Sequence, residues 1–174
     1  MSQMELKINK KRIAVLIGIK GETKARLEEL SGCEIEIDSD EGDVLIEGED
    51  GVMLMDLRSV IYAIGRGFSP MTAEKLFDEE YMMEIINILE FTGKSKKKLL
   101  RMKGRVIGAE GKARKMIEAL TDTEISVFGK TLAIIGKHED TAIAKRACEA
   151  LLSGAPHSNI FLALEKHKKQ GMRF

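Results

Sequence analysis

A chain of 174 residues, 44% hydrophobic and 32% charged but only 5% aromatic, is long enough for two small domains with cores of Ile, Leu, Val and Met. The scarcity of rings argues against a base-stacking surface built on aromatics. The formal net charge of zero hides a division: residues 1–90 carry 10 basic and 20 acidic side chains, residues 91–174 carry 18 and 8. An acidic half is followed by a basic one. No apolar stretch approaches the roughly 20 residues of a membrane span, and the first residues lack a signal-peptide core, so the chain is expected to be cytoplasmic.

In chain order, the apolar run Leu6 to Ile8 predicts a strand, and the basic stretch Lys10, Lys11, Arg12 leads a short helix into Val15-Leu16-Ile17-Gly18-Ile19-Lys20-Gly21. Thr23 to Ser31 has helical spacing, with Leu27 and Leu30 on its apolar side and Gly32 placed to end it in a left-handed conformation. Glu34 to Ile37 and Val44 to Glu47 alternate as the strands of a hairpin with an acidic connection. A helix is expected over 51–64. Gly65, Gly67 and Pro70 oppose its continuation, so 68–80 reads as a linker with a short helix at 71–77. The expected domains are therefore 1–67 and 81–174.

The second domain repeats this order. After a strand in 82–89 and a basic helical stretch comes Arg105-Val106-Ile107-Gly108-Ala109-Glu110-Gly111, its first glycine 90 residues after Gly18. The next helix has Met116, Ile117 and Leu120 as its apolar stripe. Strands at 124–127 and 131–135 flank a turn at Phe128-Gly129-Lys130, and from Gly108 to Gly136 the second copy is two residues shorter than the first from Gly18 to Gly48. A helix over 138–152 offers Ala142, Ile143, Ala147 and Leu151 to a core. The tail 157–169 reads as a last helix burying Ile160, Phe161, Leu164 and Leu162, either docked on the second domain or carrying a partner contact. Each repeat is strand, helix, Gly-x-x-Gly, helix, strand, strand, helix, which makes the class α+β: a three-stranded antiparallel sheet with helices on one face.

An Ile-Gly-x-x-Gly turn between helices lets an oligonucleotide backbone approach closely, and the start of the following helix favours phosphate. In the second repeat the candidate contacts are Gly108, Ala109, Glu110, Gly111, Lys112, Arg114 and Lys115, with Arg101, Lys103 and Arg105 leading in. Glu110 is expected to repel phosphate locally, against the surrounding cations. In the first repeat they are Gly18, Ile19, Lys20, Gly21 and Lys24, flanked by Lys10, Lys11, Arg12 and Arg26. The acids from Glu34 to Asp50 form either a solvated edge or a docking face for a basic protein. Neither loop continues into the Gly-Lys-Ser/Thr of a nucleotide-hydrolysing P-loop. Cys33 and Cys148 read as small buried apolar residues. His138, His157 and His167 lie in no metal or catalytic motif, so no enzyme, cofactor or metal is expected.

These two loops and their element order resemble K-homology (KH) modules of type I, which clamp about four nucleotides of single strand. The second repeat and tail, from Gly104-Arg105-Val106-Ile107-Gly108 through Phe128-Gly129-Lys130-Thr131 to Gly154-Ala155-Pro156-His157, are similar to one KH family in particular, the archaeal counterpart of the partner-of-Nob ribosome-assembly factor. The resemblance implies binding of single-stranded RNA near the 3′ end of small-subunit (16S) ribosomal RNA during its maturation. It also implies two protein partners, the Nob endonuclease and the alpha subunit of translation initiation factor two. By the same resemblance Gly108, Gly111, Lys112 and Arg114 contact RNA, with Arg101, Lys103 and Arg105 alongside, although Ala109 and Glu110 stand where family loops commonly carry basic residues. Rival readings are a general KH regulator of messenger RNA and a protein–protein adaptor.

Overall fold

The computed structural model describes residues 1–171. It divides into two compact units, the second beginning at Glu80. In the first, β1 (Ser2–Lys7) leads through a tight helical turn at Lys10–Arg12 into α1 (Ile13–Ile17), then α2 (Glu22–Ser31), β2 (Glu34–Asp38), β3 (Asp43–Gly48) and α3 (Gly51–Gly65). The sheet order is β1-β3-β2, antiparallel throughout, with Ile35 opposite Ile46 and Met4 on the other side of Ile46. Alternation turns Ile35, Val44 and Ile46 toward the helices, where they are buried with Leu16, Leu27, Leu54, Leu57 and Ile61.

Local chemistry sets the ends of these elements. The Asp50 carboxylate accepts from the backbone N–H groups of Val52 (2.9 Å) and Met53 (3.2 Å) at the start of α3. Gly32 follows α2 at φ 70°, the left-handed stop expected of it. Leu30, assigned above to the apolar side of α2, is instead 43% exposed.

The segment expected to be a linker is part of the first unit. Ser69 caps α4 (Pro70–Ala73), with Pro70 in the first turn where its missing N–H costs nothing. A tighter turn follows over Glu74–Phe77. Ala73 and Leu76 are buried, and Arg26 of α2 grips Glu74 through Nε (2.6 Å) and Nη2 (3.1 Å). The first unit therefore runs to Glu79.

The second unit has β4 (Tyr81–Asn87), α5 (Leu89–Thr92), α6 (Lys96–Ile107), α7 (Lys112–Thr121), β5 (Glu124–Phe128), β6 (Thr131–Lys137), α8 (His138–Leu152) and α9 (His157–Gly171). The sheet order β4-β6-β5 repeats that of the first unit. Ile88, Val106, Ile117, Ile125, Leu132, Ile134, Cys148 and Leu151 form its core. Of the face expected of α8, Ala147 and Leu151 are buried, joined by Ala144 and Cys148, whereas Ala142 and Ile143 are half-buried and border a groove beside α9. The last helix docks on α7 and α8, burying Leu164, with Ile160 and Phe161 packed at the core margin. Leu162, placed on its buried side above, is 55% exposed. No helix among the described residues is long and apolar enough to cross a membrane.

Both cysteines are buried and free. Burial, with the Glu149 charge second, pushes the Cys148 thiol up to about 12. Its thiolate fraction near neutral pH is thus about a thousandfold below that of an ordinary thiol. In native protein, maleimide labelling of Cys148 should be slower by at least that factor and should accelerate only through the unfolding transition, as read by peptide mass spectrometry over a denaturant series.

Candidate nucleic-acid interface

The two glycine loops have nearly the same backbone on different side chains. Gly18 has φ 78°, ψ 175° and Gly108 φ 76°, ψ 173°. Lys20 and Glu110, neither of them glycine, both sit in the left-handed region at φ 55° and 56°, followed by Gly21 at 76° and Gly111 at 74°. A hydrogen bond from the Gly21 N–H to the Gly18 carbonyl, and from Gly111 to Gly108, closes each turn at 3.2 Å. The paired glycines serve different purposes. A Cβ on Gly108 would stand 2.7 Å from the Ala113 nitrogen, and one on Gly18 would strike Thr23, so the first glycine is demanded by packing against the next helix. A Cβ on Gly21 meets nothing within 4 Å. The second glycine keeps the outer face of the turn open.

Neither α2 nor α7 has a side-chain cap at its start. The N–H of the first residue, Glu22 or Lys112, donates back to the carbonyl of Ile19 or Ala109, and the positive end of the helix dipole stands at each loop. Around the second loop, Arg101, Lys112 and Lys115 are exposed and make no ion pair among the described residues. Ala109 and Glu110 are exposed at its tip. Lys103 is half-buried in α6, away from the groove described below.

Other predicted contacts are occupied within the fold. The Arg105 guanidinium donates through Nε to the Leu151 carbonyl (3.1 Å) and through Nη2 to that of Ala155 (2.5 Å). It thereby fastens α6 to the end of α8. The His157 Nε2 lies 2.8 Å from the Arg105 carbonyl. A carbonyl only accepts, so this nitrogen carries the proton. Arg12 does the equivalent work in the first unit, donating to Ile64 (2.8 Å) and Phe68 (2.7 Å), and burial lowers its pKa from the usual guanidinium value. Arg114 reaches across to β5, donating to the Ile125 carbonyl (3.1 Å) while pairing with Glu118 (3.5 Å). Glu118 in turn accepts from the Ile125 N–H at 2.9 Å. In the first unit Lys24 pairs with Glu28 (3.6 Å), which accepts from Ile35 (3.1 Å). Arg26 is committed to Glu74. Lys10, Lys11 and Lys20 are exposed and make no ion pair among the described residues, Lys20 at the loop tip beside Ile19, which is 80% exposed.

A groove of about 650 Å³ lies on the side of the second loop that faces α9, bordered by Arg101, Gly104, Gly108, Ala109, Lys112, Met116, His157 and Phe161. Met116, assigned to the core above, is 41% exposed there. Helical spacing alone could not separate it from Ile117, the residue that is buried. Among the described residues no group of His, Cys, Asp and Glu is placed to hold a metal ion.

Residues 82–169 match the family described as the eukaryotic-type KH domain (KH-domain type I), in the form that stands second in Pno1 proteins, and residues 3–54 match the KH domain family. The chain is 45% identical over 169 residues to a KH domain-containing protein of Methanocaldococcus jannaschii, covering 95% of this chain and 74% of that one. The crystal structure of Dim2p from Pyrococcus horikoshii superposes with a TM-score of 0.88 at 42% identity, covering 95% of this chain and 99% of that one. Dim2p in a complex with a/eIF2alpha and rRNA from the same organism gives a TM-score of 0.90 at 42% identity, over 97% of this chain and 95% of that one. With the loop geometry, both sheet topologies and near full-length identity in agreement, the chain belongs to the family of two-module type I KH proteins that includes Dim2p and Pno1.

Proposed function

We propose that this protein binds single-stranded small-subunit ribosomal RNA near its 3′ end during maturation of the particle in the cytoplasm, using the loop Gly108–Gly111 as the clamp. The observation that carries the reading is a coincidence in the second unit. An open left-handed turn, a start of α7 without a side-chain cap, Arg101 and Lys112 on the adjoining groove and Lys115 beside Gly111 gather at the loop. Such a surface holds a sugar–phosphate backbone without an enzyme's acid, base or nucleophile. The similarity to a protein crystallised with rRNA and a/eIF2alpha supports the same class of RNA, and the alpha subunit of translation initiation factor two as a partner. The Nob endonuclease is the proposed nuclease whose cleavage site the bound protein positions. The first unit, whose Arg12, Lys24 and Arg26 are engaged internally, extends the RNA surface weakly or recruits a protein.

The test is affinity for a single strand matching the 3′ end of the small-subunit RNA against a scrambled strand, across a salt series. Preferential binding with log affinity falling by about 0.7 per phosphate contacted, for each unit of log salt, supports the reading. Absence of binding at low salt removes it. Glu110→Lys keeps a long side chain at a left-handed position that Lys20 already occupies in the other loop. It should raise affinity several-fold at low salt and steepen the salt dependence.

A further inference from the structure

We propose that the groove between α6, α7 and α9 is a second nucleotide subsite, in which a base beyond those clamped by the loop stacks at Phe161 and His157 while Arg101 and Lys112 hold its phosphate. The inference rests on the RNA-binding reading above and adds a site that a KH module without α9 does not have.

The two units themselves supply the comparison. The carbonyl pair Leu151 and Ala155 in the second unit corresponds to Ile64 and Phe68 in the first, since each pair receives the same arginine fork. On that correspondence Phe161 stands where the first unit has Glu74, and on the glycine correspondence Met116 stands where it has Arg26. In the first unit these positions form a two-bond ion pair that bridges α2 to the turn over Glu74–Phe77. In the second they are an exposed methionine and a half-buried ring, and both border an open groove. The ion-pair bridge is replaced by apolar walls.

Three features of this groove fit a nucleotide. Its walls place the His157 and Phe161 rings 6.0 Å apart at 53°, presenting aromatic surface to a base. Its rim carries Arg101 and Lys112, both exposed, which complement a phosphate. It also shares Gly108 and Ala109 with the loop, so a strand leaving the clamp enters it directly.

Gly104 is the fourth. It lies inside α6, where glycine is unfavourable relative to alanine, yet a Cβ there would meet nothing within 4 Å. Packing within the protein does not require it. The corresponding residue of the first unit is Ala14. A bare helix surface beside aromatic rings is what close approach of a base needs.

The experiment compares a four-nucleotide strand with the same strand lengthened by a few nucleotides at its 5′ or its 3′ end. The proteins are wild type, Gly104→Gln, and Met116→Arg combined with Phe161→Glu, which rebuilds the first unit's ion pair. One of the two extensions should raise wild-type affinity by about tenfold, as stacking of one base does. Gly104→Gln fills open space on a helix and should fold at least as well as wild type. It should bind the short strand normally and lose most of that gain, as should the double variant. A 5-iodouridine in the added segment should crosslink to the peptide containing Phe161. A gain that survives in Gly104→Gln, or no gain from either extension, overturns the subsite while leaving the clamp in place; the latter is also the result expected if the groove receives an apolar segment of a protein. Failure of wild type to bind any strand removes the clamp reading and the subsite together.

Discussion

Ala109→Asp should weaken binding of single-stranded ribosomal RNA at least tenfold, whereas Ile19→Asp, the same change in the first loop, should weaken it less than threefold. Position 109 is not left-handed, so an aspartate enters without backbone strain and the turn survives. It would place a second carboxylate beside Glu110 at the tip of the proposed clamp. At ~5 Å and an effective dielectric of ~40, one such repulsion is worth ~1.7 kcal/mol, somewhat more than a factor of ten in affinity. The first loop keeps Lys20 at its tip, but among the described residues the helix that follows it offers no unpaired cation as Lys112 and Lys115 do after the second. Lys24 is paired with Glu28, Arg26 with Glu74, and Arg12 with backbone carbonyls. Fluorescence anisotropy over a salt series measures both variants. A larger effect at Ile19 would move the clamp to the first unit. Equal insensitivity at both positions would leave the chain an adaptor that no longer grips RNA.

Sheets, loops and element order were legible because each rests on local spacing. Glu34 to Ile37 alternates, the glycine segments recur 90 residues apart, and Gly32 stops its helix as glycine does. What spacing could not show was where a long basic side chain ends. Arg105 sits three residues before Gly108 and reads as a phosphate ligand by adjacency, yet its guanidinium crosses to carbonyls 46 and 50 residues later. Its counterpart was hidden as well. Arg12 lies one helical turn earlier relative to its glycine than Arg105 does, so aligning the repeats by glycines pairs Arg105 with Val15. The candidate groove was obscured for a related reason. Helical periodicity places Met116 near Ile117 and Phe161 near Leu164, and only the docking of α9 on α7 decides which members of each pair stay at the surface.

Arg105→Ala should therefore act first on stability. It removes two charge-assisted hydrogen bonds at a half-buried junction, leaving the Leu151 carbonyl with the Gly154 N–H and the Ala155 carbonyl without its guanidinium donor, a loss of about 2–3 kcal/mol. For a unit of this size that corresponds to a fall in melting temperature of about 10 °C or more. Arg105→Lys should recover little of it, because an ammonium on a flexible stem cannot fork to two carbonyls in fixed geometry. Arg12→Ala should show a comparable loss in the first unit, where the corresponding carbonyls of Ile64 and Phe68 are served. RNA binding separates this role from the one that adjacency to the loop suggests. Below its melting transition, Arg105→Ala should keep the wild-type salt slope, since the guanidinium neutralises no phosphate. Lys112→Ala should instead leave stability within about 0.5 kcal/mol and lower the slope by about 0.7. A reduced slope in Arg105→Ala with unchanged melting would reverse the assignment, making Arg105 a phosphate contact that lets go of α8 when RNA arrives.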